Sequence, residues 1–167
     1  MNLTRRWAMA NHETFSIKPI KELLSVYVGD GVGWIDPFSR NSKLASITND
    51  INPTTSASSH LSAIEFIKSF TEIKNCIFDP PYSLRQVKEC YEGIGRQFTH
   101  FDSQNSVRWT EERDAIMERM PKGGIVISFG WTTTCMGMKR GYAIKEILMV
   151  SHGPAHNDTL VTVEERN

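Results

Sequence analysis

Apolar positions recur along this chain at two periods. In IKPIKELLSVYV, 17–28, Ile20, Leu23, Leu24 and Tyr27 fall on one face at helical spacing, which predicts a short amphipathic helix. HLSAIEFIKSF, 60–70, repeats the pattern with Leu61, Ile64, Phe66, Ile67 and Phe70. Two further helices are predicted over 83–95 and 106–120, the first opening on Ser83 as an N-cap and closing on glycines. Between these stretches lie short apolar runs of strand character: 33–36, 44–53, the IKNCIFDPPY run and 122–131. The last two predicted strands, 141–153 and 157–166, are joined by a short GPAH connection that permits antiparallel pairing. The segment 1–15 has no apolar block, and no element is predicted there.

Strands alternate with helices through most of the chain, and two strands come together at its end. That order predicts an α/β fold, with a mostly parallel sheet and an antiparallel C-terminal edge strand. A length of 167 residues fits one domain with a core of its own. The formal net charge is zero, so any contact with a polyanion must come from a local patch rather than from a bulk field. The three cysteines, Cys76, Cys90 and Cys135, are odd in number and lack metal-ligand spacing. They suggest neither a disulfide framework nor a metal site, and a reducing cytoplasm is the simpler expectation. No apolar run of membrane-spanning length is present, so no membrane association is expected.

The chemistry concentrates where strands end. Three predicted strands stop on carboxylates, Asp36, Asp50 and Asp79, and in parallel α/β sheets ligands gather beyond the carboxyl ends of the strands. The third is followed at once by Pro80, Pro81 and Tyr82. Two prolines end the strand and fix a rigid turn. An ionised aspartate and an outward carbonyl of that turn are acceptors for both hydrogens of one amino group, and the tyrosine ring offers a face for stacking. This is a cage for an exocyclic amine on a planar heterocycle. It positions and polarises the amine without a covalent enzyme intermediate. GDGVG, 29–33, looks like a phosphate loop but precedes its strand rather than following it, so it is read as a turn.

DPPY resembles the catalytic motif of amino-methyltransferases that act on DNA, chiefly those that make N6-methyladenine. FSIKPIKELL resembles the motif before the first strand of that family, IDPFSRN its first-strand DPFxGxG motif, and TNDINP its second-strand acid. Over residues 5–166 the chain is most similar to the compact adenine methyltransferase-like proteins of phages and prophages. The resemblance implies a Rossmann-like class I fold in a single methyltransferase domain, with S-adenosylmethionine as cofactor and no separate target-recognition domain. Asp36, Pro37 and Phe38 would line the methionine part of the cofactor, and Phe15, Lys18 and Pro19 would close that end. Asp50 would hold the ribose hydroxyls and Ile51 would pack on the adenine, with Glu65 and Phe66 near its amino group. Asp79, Pro80, Pro81 and Tyr82 would hold the target base, flipped out of its stack.

The implied activity is site-specific adenine methylation of DNA. Alternatives are the same chemistry on RNA or a protein amide, or a non-catalytic, partner-dependent binding subunit. Positions 40 and 42, glycine in the family pattern, are Arg40 and Ser42 here, and they support the last alternative. With no recognition domain, the expectation is low sequence selectivity, or a homodimer or partner subunit. The polar stretch 96–109 is read as either a reduced substrate loop or a plain helix connection. Lys139 and Arg140 are read as a solvated turn ahead of a phosphate contact, and His152, His156, Asn157 and Asp158 as a surface turn ahead of a cleft lining.

Overall fold

The computed structural model describes residues 1–97, 99, 109–133, 135–154 and 156–167. Its seven strands are β1 (Asn2–Trp7), β2 (Trp34–Asp36), β3 (Ile47–Thr48), β4 (Asn75–Phe78), β5 (Ile125–Gly130), β6 (Tyr142–Ser151) and β7 (Thr159–Arg166). The described α-helices are α1 (Lys18–Tyr27), α2 (Ala63–Lys68), α3 (Leu84–Gly93) and α4 (Thr110–Arg119). All strands join one sheet in the order β1-β6-β7-β5-β4-β2-β3. Pairing is antiparallel on both sides of β7 and parallel elsewhere.

Both faces of the sheet are covered, which is why β4 and β5 read as continuous apolar runs rather than as alternating ones. On one face α1 buries Ile20, Leu23 and Leu24 against Ile77, Ile127, Phe129, Val161 and Val163. Pro19 sits in the first turn of α1, where a missing N–H leaves no bond unmade. On the other face Phe66 and Ile67 of α2 and Ala115 and Ile116 of α4 close over Ile35, Phe78 and Val126. Ser83 caps α3, its hydroxyl accepting from the Gln86 N–H at 3.3 Å.

The mainly parallel α/β sheet with an antiparallel C-terminal strand is present, with two features the apolar pattern does not show. The chain start pairs along β6 as β1 and forms the outer edge, so β7 lies between β5 and β6. Five of the six β1 side chains are exposed, and a strand without a buried face leaves no alternation to read. The strand expected over 44–53 shrinks to the two residues of β3. Beyond it the serines of 54–59 supply the pairing instead: Ser58 Oγ donates to the Thr48 carbonyl at 2.6 Å, and the Ser58 N–H donates to Thr48 Oγ1 at 3.0 Å. Of the polar stretch 96–109, residues 98 and 100–108 lie outside the described residues, as does the start of the helix expected over 106–120.

GDGVG is a turn. Gly31 has φ +80° and its carbonyl accepts from Trp34 and Ser46, both at 3.1 Å. A Cβ there would stand 2.1 Å from the Leu44 carbonyl oxygen. Gly31→Ala combines positive φ with a clash on rigid backbone. It is expected to lower unfolding free energy by about 2–4 kcal/mol, read from a lower urea midpoint at unchanged slope.

From β2 the chain turns outward to β3, and from β4 it runs the other way to β5. The strand order therefore reverses between β2 and β4, and the crevice beyond their carboxyl ends is the switch point where such sheets take ligands.

Candidate active site

Asp36 ends β2 and Asp79 follows β4, so the two neighbouring strands deliver two carboxylates to the crevice. A cavity of about 1200 Å³ opens there. Asp79, Pro80, Pro81 and Tyr82 line it, together with Pro37, Phe38, Asp50 and Ile51. Eight of the fourteen site residues expected from sequence thus meet in one space.

The DPPY turn is held from three directions. The Tyr82 hydroxyl donates to Asp79 Oδ1. The Tyr82 N–H donates to Gln86 Oε1 at 2.7 Å, which ties the turn to the first turn of α3. The indole N–H of Trp109 donates to the Pro81 carbonyl at 3.2 Å. Trp109 thus occupies one lone pair of the Pro81 carbonyl, and the Pro80 carbonyl accepts no hydrogen bond from another described residue. Burial pushes the Asp79 carboxyl up to about 6, against the pull of the Tyr82 hydroxyl and the Arg40 cation. The Tyr82 phenol is pushed well above its ordinary value by burial and by the adjacent Asp79 carboxylate.

Asp36 is fully buried. Its Oδ1 accepts from the Phe38 N–H at 2.9 Å, and its Oδ2 has no partner among the described residues. Burial drives its carboxyl well above the usual range; the Phe38 N–H opposes this, and the charges of Asp79 and Asp50 add to the rise. An orphaned buried carboxylate oxygen beside a cavity fits a charged donor brought in by a ligand. Asp50 accepts on both oxygens from backbone, Asn52 N–H at 2.8 Å and Arg40 N–H at 3.0 Å. Each oxygen keeps a second lone pair, so a vicinal diol can still be received.

Arg40 stands where the family pattern has glycine, and it adopts the glycine conformation, φ +51°. Its side chain reaches across the rim to the His12 carbonyl at 3.3 Å, so its backbone serves Asp50 while its guanidinium ties the chain start to the cavity.

The other six expected residues are not in the cavity lining; Asp36 is one of them, fully buried next to the lining residue Pro37. Phe15 packs on Phe129, ring centroids 4.9 Å apart, and Lys18 and Pro19 begin α1; none of the three is in the cavity lining. Glu65 caps its own helix in a reciprocal pair with Ser62, whose hydroxyl bond at 2.5 Å holds the Glu65 carboxyl below its ordinary value. Phe66 is a core residue, edge-on to Phe70 at 5.1 Å. At α2 the lining consists of Ser62, Ala63 and Ile64 instead. The motif placed the right helix but the wrong face of it.

Trp109 was not singled out by sequence reasoning. It packs edge-on to Phe38 at 5.0 Å while bonding Pro81, and so links Phe38 to the DPPY turn. A large aromatic at the border of a polar stretch and an acidic helix start was the available signal. Arg140 is not a free phosphate contact, because it donates to Asp114 Oδ1 at 2.7 Å and to the Met136 carbonyl at 3.2 Å. His152 is not a surface turn residue. It is buried between the Ala8 carbonyl at 2.8 Å and Thr159 Oγ1 at 2.9 Å.

No protein-family model and no curated protein sequence matches this chain. Solved structures do. TrmN from Thermus thermophilus superposes with a TM-score of 0.59 at 13% identity, over 93% of this chain and 50% of that one. The Escherichia coli protein yhhF, provisionally named a methyltransferase, gives 0.54 at 8% identity over 89% and 85%. SMU.776, provisionally named a methyltransferase and complexed with SAH, gives 0.50 at 10% identity over 87% and 48%. The chain spans about half the length of the first and third of these. At these identities the likeness is one of architecture, and it agrees with the strand order, the switch point and the inserted antiparallel β7: this chain has the class I S-adenosylmethionine-dependent methyltransferase fold.

Proposed function

We propose that this chain is an S-adenosylmethionine-dependent methyltransferase that acts on the exocyclic amine of adenine in DNA. One observation carries the reading. Asp79, Pro80, Pro81 and Tyr82 line the same cavity as Asp50 and Phe38, and the fully buried Asp36, next in the chain to the lining residue Pro37, keeps one oxygen without a partner among the described residues. The residues present fit the cofactor: Asp50 with open lone pairs for a ribose and apolar Phe38, Ile51 and Ile64 for a purine line the cavity, and Asp36, fully buried just before Pro37 and not itself in the lining, keeps an oxygen without a partner among the described residues for an ammonium. SMU.776, complexed with SAH, shows that this architecture can hold the demethylated cofactor.

When bound, S-adenosylmethionine supplies an electrophilic methyl carbon. The chain's own part is orientation. Asp79 and the Pro80 carbonyl each accept one N–H of the target amine, which turns the nitrogen lone pair out of conjugation with the ring. The Tyr82 ring stacks on the base and helps exclude water. In this arrangement the Tyr82 hydroxyl occupies one Asp79 oxygen, so an entering amine competes with it or uses the other. The cage recognises an amine on a flat ring rather than the polymer, so DNA and RNA are separated by competition.

The test is calorimetric titration with S-adenosylmethionine and S-adenosylhomocysteine, followed by labelled-methyl transfer to DNA and RNA strands. Micromolar binding and label in N6-methyladenine of DNA are expected. Label in RNA alone moves the substrate assignment. No heat and no thermal shift at millimolar ligand would sink the enzyme reading and leave the partner-dependent binding subunit.

A further inference from the structure

A second recess, of about 370 Å³, lies beside the cavity, against the end of β5 and the turn into β7. Trp131, Met149, Asn157, Asp158 and Leu160 line it. Trp131 follows the last residue of β5 and is 48% exposed. Its ring meets that of Tyr82 edge-on, centroids 6.0 Å apart and planes at 60°. The wall of the recess is therefore also the neighbour of the DPPY cage.

Strand register extends the surface. Gly130 pairs with Leu160, Leu160 with Met149, and Met149 with Arg5, so one row crosses β5, β7, β6 and β1. Residues paired in this way point to the same face of a sheet. Arg5 and, two residues on, Trp7 therefore lie on the face that floors the recess, roughly 14 Å from β5 at the usual strand spacing. Trp7 is 68% exposed, and Arg5 is exposed and makes no ion pair with another described residue. His152 anchors this region from beneath, joining the end of β1 to the start of β7. On a chain of zero net charge, exposed Trp131 at the end of β5 and exposed Arg5 and Trp7 together on the edge strand β1 form a local patch suited to a polyanion with flat bases.

Resting on the reading of the cage as a base-binding site, we propose that this recess and the Arg5–Trp7 edge form a subsite for the unpaired nucleotides flanking the flipped base. The neighbouring base stacks on Trp131 and presents its amino edge to the acceptors of Asp158 and Asn157. The following phosphate is met by Arg5. The Asp158 carboxylate repels phosphate, so the base and not the backbone fills the recess. The subsite gives this chain a hold on a single strand beside the cage.

The test is fluorescence anisotropy of short labelled single-stranded oligonucleotides, with S-adenosylhomocysteine present, on wild type, Trp131→Ala and Arg5→Ala. Trp131→Ala is expected to weaken binding about 5- to 150-fold, the worth of one stacked base. A strand with an abasic residue next to the target adenine should show a matching loss on wild type and little further loss on Trp131→Ala. Arg5→Ala should lower the slope of log affinity against log salt by about one. Unchanged S-adenosylhomocysteine affinity and melting temperature establish that the variants are folded. If wild type binds oligonucleotides and Trp131→Ala binds them equally well, the subsite is overturned while the cage reading stands. If wild type binds S-adenosylhomocysteine but no oligonucleotide, the nucleic-acid reading falls and the subsite with it.

Discussion

Asp79→Ala is expected to cut methyl transfer by about 10²–10³-fold or more while leaving S-adenosylhomocysteine affinity within about threefold of wild type. In the proposed reading the side chain accepts from the target amine and, bonded by Tyr82, belongs to the base site, while Asp50 and Phe38 of the same cavity serve the cofactor. Its removal therefore strikes orientation and not the cofactor. The acid limb of the pH profile supplies a second reading of the same group. Burial holds the Asp79 carboxyl near about 6, and only its ionised form accepts two N–H bonds freely. Transfer should rise with unit slope as pH increases through about 6 and then level. Asp79→Asn keeps one acceptor oxygen and has no proton to lose, so it should retain part of the activity and lose that limb. Equal loss of transfer and cofactor affinity in Asp79→Ala would show the residue to be structural.

The raised pKa also has a stability sign. A carboxyl whose folded value lies above its unfolded value binds protons more readily when folded, so its contribution is full below the unfolded value and is lost as pH rises through the folded one. For Asp79 that window runs from the ordinary 3.8 to about 6. The apoprotein thus carries its cage carboxylate at a cost at neutral pH, as a site prepared for a ligand does.

Much of this molecule was legible before its structure. α1, β2, β4, β5, β6 and β7 fall inside the predicted stretches because their apolar positions face the two layers of the core. The DPPY turn was legible because acid, two prolines and an aromatic form a narrow chemical combination. What was missed follows one rule. β1 is bound by backbone pairing and shows no apolar face, and the 44–53 strand breaks because serine hydroxyls take over its partners. Glu65 and Phe66 matched a motif by order, but helix phase decides which side of α2 faces the cavity, and the Ser62 cap fixed Glu65 outward. Trp109 and Arg40 act through a long-range bond and a backbone torsion, and neither leaves a periodic trace.

Asp36→Asn is expected to do two opposite things. The wild-type carboxyl is fully buried, one oxygen without a partner among the described residues, close to the charges of Asp79 and Asp50, all of which disfavours its charged form. The amide keeps the shape and the oxygen that accepts from Phe38 while removing the charge. Unfolding of the apoprotein should move up by roughly 2–8 °C, the range that relief of a poorly paired buried charge gives in a chain of this size. The sign with pH is fixed by the raised folded value: the wild-type group is penalised above it and not below the unfolded one, so the gap between variant and wild type should close as pH falls toward 4. The affinity for S-adenosylhomocysteine should fall about 10- to 150-fold, the worth of a hydrogen bond between charged groups. Scanning calorimetry with and without ligand reads both effects at once: the variant starts higher and gains less on saturation. A variant that melts lower than wild type at neutral pH would mean that Asp36 holds β2 in place rather than waiting for a ligand. Unchanged ligand affinity would place the ammonium elsewhere in the cavity and leave the orphaned oxygen without a role.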